Sequence, residues 1–206
     1  EPAAALTAAG VPVRHLVLEP PFGLDGVRPP EDADLVVVGN PTNPTAVLHT
    51  REQLLAWRRP GRVLVVDEAF ADAVPGEPES LARESLPDVL VLRSLTKTWA
   101  LAGLRVGYAL GAPGLLARLS AQRAHWPVGT LQLAAIAACC DPAAVAEAEA
   151  GAVRLAACRA EMVAGLQSVG AEVFPGRGPF VLFRHPEARR VREALRDKGI
   201  AIRRCD

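Results

Sequence analysis

Lys97 sits in the stretch Leu92-Arg-Ser-Leu-Thr-Lys-Thr98, with hydroxyls at Ser94 and Thr96 ahead of it and a guanidinium at Arg105 behind it. Hydroxyls and a planar arginine fork are groups that hold a phosphate. A lysine between them, flanked by apolar positions, is expected to be desolvated beside a cation, which makes its amine a usable nucleophile. A solitary lysine is normally a solvated surface group; the phosphate-type ligands on both sides argue against that here. Asp67 follows the apolar run Val63-Leu-Val-Val66. An ionised carboxylate at such a strand end needs a compensating partner. A pyridinium nitrogen would serve, and so would a helix N-terminus or an arginine. Asn43 lies in Gly39-Asn-Pro-Thr-Asn-Pro-Thr45. The residue before each proline is barred from the helical region, so the loop must turn and Asn43 can project its amide.

These groups need elements to hold them. Leu35 to Val38, Val63 to Val66 and Val89 to Leu92 are continuous β-branched or aliphatic runs, as expected of strands buried on both faces of a mostly parallel sheet. Arg14–Leu18 and Val106–Leu110 are weaker strand candidates. Thr50 with Gln53 three residues on predicts a capped helix running to about Trp57, Pro113 opens another to about Arg123, and Leu131–Cys140 is Ala-rich. Alternating strand and helix indicates an α/β domain with flanking helices. In such sheets ligands sit at the carboxyl ends of the strands, and Asn43, Asp67 and Lys97 each follow a predicted strand. From Pro142 to about Ser168 the chain reads as one long helix. Strand candidates follow at Glu172–Phe174 and Phe180–Arg184, then a helix over 187–198 closed by Gly199, then a strand over Ile200–Arg203. This organisation predicts residues 1–140 as part of a cofactor-binding large domain. Residues 141–206 are read as a connecting helix and part of a small α+β domain.

The three segments, in this order, resemble the fold-type I pyridoxal-phosphate enzymes, specifically the class I and II aminotransferase family. The resemblance implies pyridoxal 5'-phosphate as cofactor and a role for each matching position. Lys97 would hold it as a Schiff base and move protons, and Asp67 would keep the pyridine nitrogen protonated. Asn43 would reach the phenolic oxygen, and Ser94, Thr96 and Arg105 would hold the phosphate. Phe70 stands where related aminotransferases carry a tyrosine whose hydroxyl also reaches that oxygen. Phenylalanine cannot make the bond. On this residue, and on Leu92-Arg-Ser-Leu-Thr-Lys97, the chain looks more similar to the threonine-phosphate decarboxylases and the cobalamin-biosynthesis aminotransferase-like proteins of actinobacteria than to the histidinol-phosphate aminotransferases. The expected reaction is therefore decarboxylation or transamination of a small amino-acid phosphate in cobalamin synthesis, with histidinol phosphate the alternative. The resemblance also implies a homodimer. In the family a phosphate loop lies ahead of position 1 and a substrate-binding arginine beyond position 206. The chain is therefore expected to be a piece lacking both ends. A truncated domain that binds no cofactor is the rival from another class.

Bulk composition narrows the partners. The chain has 206 residues, with Lys plus Arg 23 and Asp plus Glu 23. A net charge of zero argues against nucleic acid, and no apolar run is long enough to span a bilayer. Cys139, Cys140, Cys158 and Cys205 lack zinc-ligand spacing and are read as buried thiols of a cytoplasmic protein. The four histidines read as surface or capping groups, and no metal site is expected.

Overall fold

The three apolar runs form the centre of a sheet. In a computed structural model describing residues 2–205, β1 (Leu35–Gly39), β2 (Val63–Asp67) and β3 (Val89–Ser94) lie side by side in parallel. A fourth strand, β4 (Gly107–Gly111), pairs antiparallel with β3, Ser94 opposite Gly107. The order β1-β2-β3-β4 is a mixed, mostly parallel sheet with flanking helices, as the sequence pattern predicts. The register brings the strand ends level: Gly39 opposes Asp67, and Asp67 opposes Leu92.

Alternation along β2 splits its side chains between two cores. Leu64 and Val66 face one cluster with Val36, Leu54, Trp57, Leu81, Val89 and Val91; Val65 faces the other with Leu90 and Leu115. Burying each of these side chains contributes about 1.5–3 kcal/mol. The first cluster is closed by α2 (Arg51–Leu55). Thr50 Oγ1 accepts from the Gln53 amide and Gln53 Oε1 accepts from the Thr50 amide, the reciprocal cap that the spacing predicts. The helix ends two residues short of Trp57, whose Nε1 donates to the Val27 carbonyl at 3.1 Å. The other helices are α1 (Pro2–Ala8), the four-residue α3 (Leu95–Thr98), α4 (Pro113–Ser120), α5 (Thr130–Cys139), α6 (Pro142–Ser168) and α7 (Ala188–Asp197). Asp141 caps α6 by accepting from the Ala143 amide, and Pro142 occupies its first position. At the end of α7, Gly199 takes φ +78° and donates to the Arg196 carbonyl, while the Ile200 amide reaches Leu195. That pair of bonds satisfies the last carbonyls of the helix.

Two expected strands do not form. Residues 14–18 and 200–203 find no ladder partner among the described residues. Their apolar content is a local property, whereas a strand exists only if another chain segment pairs with it. The expected 172–174 and 180–184 strands shorten to β5 (Glu172–Val173) and β6 (Phe183–Arg184), paired antiparallel. Pro175 and Pro179 remove the amides a longer ladder would need. Cys140, Cys158 and Cys205 are exposed and Cys139 is half-buried, against the expectation of buried thiols: Cys139 and Cys140 lie at the end of α5, Cys158 on an uncovered face of α6, and Cys205 in the segment after α7. No single helix among the described residues is long and apolar enough to cross a membrane.

Candidate functional site

Because β1, β2 and β3 run parallel, the loops that follow them emerge along one edge of the sheet. After β1 the chain turns back on itself, with the Thr42 amide donating to Val47 O and the Ala46 amide to Thr42 O. Buried Asn40 fixes this turn. Its amide side chain donates to His49 O and accepts from the His49 amide, and its own backbone N–H reaches Asp67 O at 2.9 Å. Asn40 is thus spent on structure, whereas Asn43 is exposed at the tip.

Asp67 ends β2 half-buried, its Oδ1 accepting from the Ala69 amide at 3.1 Å. That bond orients the carboxylate at the strand end. After β3, Ser94 caps α3: its Oγ accepts from the Thr96 amide and lies 2.7 Å from Thr96 Oγ1. Thr96 itself is buried. Lys97 stands exposed, against the expectation of a desolvated lysine; its Nζ lies 5.3 Å from the centre of the Phe70 ring and no apolar shell encloses it. Arg105 is exposed in a left-handed backbone conformation (φ +52°) and donates to Ala102 O. It returns to α3 through β4, since the Leu95 amide donates to Val106 O and Gly107 opposes Ser94. A Cβ at Gly107 would meet Arg93 O at 2.6 Å, so a side chain there would push β4 away from β3.

The structure therefore places Asp67 and Ser94 at the ends of β2 and β3, Asn43 and Phe70 on the segments after β1 and β2, and Lys97 in α3, all along one end of the sheet, with Arg105 joined to them by strand pairing. Sequence reasoning missed three further contributors. Phe180 packs edge-on against Phe70, ring centres 4.6 Å apart. Arg203 Nη1 donates to Asn43 Oδ1 at 3.4 Å. The amides of Arg177 and Gly178 both donate to Ala46 O, at 2.7 and 3.0 Å, clamping the Asn43 loop. The signal for that clamp is the Pro-Gly-Arg-Gly-Pro stretch at 175–179. Two of the histidine readings also resolve: His185 Nδ1 accepts from the Glu187 amide at the start of α7, whereas His49 is buried beneath the Asn43 loop. Burial lowers His49 from its ordinary value of 6.5, opposed by the charge of Asp25.

A parallel sheet presenting an amine, a strand-end carboxylate, hydroxyls and a guanidinium along its carboxyl edge is the framework of a fold-type I pyridoxal-phosphate enzyme. The chain belongs to the family described as aminotransferase class I and II, which matches residues 26–206. It is 73% identical to a histidinol-phosphate aminotransferase of Mycobacterium tuberculosis, over all of this chain and 57% of the relative's length. One from Gluconobacter oxydans is 34% identical over 93% of this chain and 55% of its own. Among solved structures, a histidinol-phosphate aminotransferase of Sinorhizobium meliloti in complex with pyridoxal-5'-phosphate superposes with a TM-score of 0.81 at 25% identity, covering 98% of this chain and 58% of that one. The chain thus spans little more than half the length of these relatives.

These likenesses support pyridoxal phosphate as the cofactor and overturn the expected threonine-phosphate decarboxylase of cobalamin synthesis. That expectation leaned on Phe70 and on the Leu92-Arg-Ser-Leu-Thr-Lys97 stretch, two short features set against 73% identity along the whole chain. The residues present fit the cofactor. The donor set offers an amine for its aldehyde, a carboxylate for its ring nitrogen and hydrogen-bond donors for its phosphate.

Proposed function

We propose that the whole protein is an aminotransferase acting on histidinol phosphate, the site being formed by Asn43, Asp67, Phe70, Ser94, Thr96, Lys97 and Arg105. The observation that carries the reading is the 73% identity, over this entire chain, to a relative named for that activity. When bound, the cofactor supplies an electron sink for the bond broken at the substrate's amine-bearing carbon.

Each residue then has a defined task. Lys97 Nζ would be the amine that holds the cofactor and the group that moves a proton at the substrate carbon. Asp67, oriented by Ala69, keeps the proton on the ring nitrogen. Asn43 donates to the phenolic oxygen from the tip of its clamped loop. Phe70 contributes a ring face and no hydroxyl. Ser94, Thr96 and Arg105 take the phosphate, Arg105 as the charged partner. Arg203 holds the Asn43 side-chain oxygen and so orients the amide. Residues 1–140 serve as part of the large cofactor-binding domain, and 141–206 as the connecting helix and part of the small one. The working unit is a homodimer in the cytoplasm.

The test is direct. The whole protein is incubated with histidinol phosphate and a 2-oxo acid, and amino-acid formation is followed by chromatography. Turnover is expected, and Lys97→Ala removes it. No turnover by protein that carries its cofactor would refute the reading.

A further inference from the structure

Three of the candidate site residues, Asp67, Ser94 and Lys97, have a chain neighbour in one ionic network centred on buried Arg93. Glu68 follows Asp67, Arg93 precedes Ser94, and Thr98 follows Lys97. Within β3, Arg93 and Ser94 point to opposite sides of the sheet, and the buried Glu68 and Arg93 contrast with the exposed Lys97. Glu68 is fully buried and takes hydrogen bonds from the Leu81 amide (2.7 Å), Ser80 Oγ (2.6 Å) and Arg93 Nη1 (3.2 Å). Arg93, with 7% of its side chain exposed, also pairs with Glu77 at 2.6 Å and with Asp72. Asp72 Oδ2 in turn accepts from Thr98 Oγ1 at 3.0 Å. One guanidinium thus serves three carboxylates, an arrangement held only if its geometry is well defined.

On the reading that Lys97 binds the cofactor, we propose that Arg93, Asp72 and Thr98 are positioning residues: they brace α3 from behind and so set where the Lys97 amine stands relative to Asp67. The mechanical reason is the shortness of α3. Four residues hold little helical stability of their own. Ser94 caps one end of this turn, and Thr98 is its tether at the other. Without that tether, Lys97 has to be ordered at the moment the cofactor binds, and this ordering is charged against affinity.

The experiment uses apoprotein of the whole chain, titrated with pyridoxal phosphate and followed by the visible absorption of the bound cofactor. Borohydride reduction and peptide mapping locate the attachment. Thr98→Val keeps the shape and removes the hydrogen bond; Thr98→Ser keeps the hydroxyl. Thr98→Val is expected to weaken cofactor binding about tenfold, the scale of one hydrogen bond to a charged group. Thr98→Ser is expected to restore the affinity. Equal affinity of Thr98→Val and unsubstituted protein overturns the proposal. So does a Thr98→Ser variant no better than Thr98→Val. If unsubstituted protein takes no label on Lys97, the site reading itself fails and this inference falls with it.

Discussion

Gly176 is the place where the C-terminal part of the chain grips the Asn43 loop. A Cβ built there would meet Ala46 O at 2.7 Å and Ala46 C and Cβ at 2.8 Å. Ala46 is fully buried, holds a positive φ of 62° and accepts both clamp amides, so it has nowhere to retreat. Gly176→Ala therefore forces residues 175–179 outward. The cost has two parts. Overpacking a close backbone contact costs about 1–3 kcal/mol. Losing the hydrogen bonds from Arg177 and Gly178 costs about 1 kcal/mol each. The clamp should thus weaken by about 3–5 kcal/mol, enough to open it most of the time if its own local stability is modest.

Hydrogen exchange reads this locally. The Arg177 and Gly178 amides should lose their protection in Gly176→Ala, while amides of β2 keep theirs. Gly165→Ala is the control: it lies in α6 with nothing within 4 Å of its added methyl, and should be neutral or stabilising by up to about 1 kcal/mol. Undiminished protection of Arg177 and Gly178 in Gly176→Ala would refute the clamp.

Three other outcomes follow from the same geometry. Lys97→Ala and Lys97→Arg should both lose the visible colour of bound cofactor, because guanidinium does not replace an amine there; an unchanged spectrum in either refutes the assignment. Leu64→Ala, at a fully buried position, should cost about 2–5 kcal/mol in urea unfolding. A loss below that range would mean that the sheet collapses onto the cavity. For His49, burial places the folded-state value below the ordinary 6.5. Between those two values the unfolded chain binds a proton that the folded chain refuses. Its contribution to stability is therefore full above 6.5 and is lost as the pH falls through that window. His49→Gln should flatten this part of the stability profile, and parallel profiles for the two proteins would contradict it.

The elements most legible in the sequence are those whose cause is local. The β1, β2 and β3 runs are apolar without alternation because both faces are covered, and the Thr50–Gln53 cap and the Asp141-Pro142 start of α6 are written in adjacent residues. What escaped is non-local. Residues 14–18 look like a strand but lack a partner, and the need for glycine at 107 and 176 arises from backbone that is distant in sequence. The Glu68–Arg93–Asp72 network was invisible for the same reason: charged residues in or just after a strand read as site candidates or surface until burial is known. Phe70 misled the substrate reading, although its position beside Lys97 is where the motif puts it.

Two supports for the site come from opposite directions. From beneath, the ionic network ties the segments bearing Asp67 and Lys97 to each other. From the C-terminal side, the clamp at Ala46, the Phe180 ring against Phe70 and the Arg203 contact hold Asn43 and Phe70, elements more than a hundred residues earlier in the chain. These two supports share no residue. Loosening one should therefore leave the other's amides protected, and their effects on cofactor affinity should add when Gly176→Ala and Thr98→Val are combined. A strongly non-additive pair would mean that the Asn43 loop and α3 move as one body. The sheet edge would then be a single cooperative unit and not two independently braced loops.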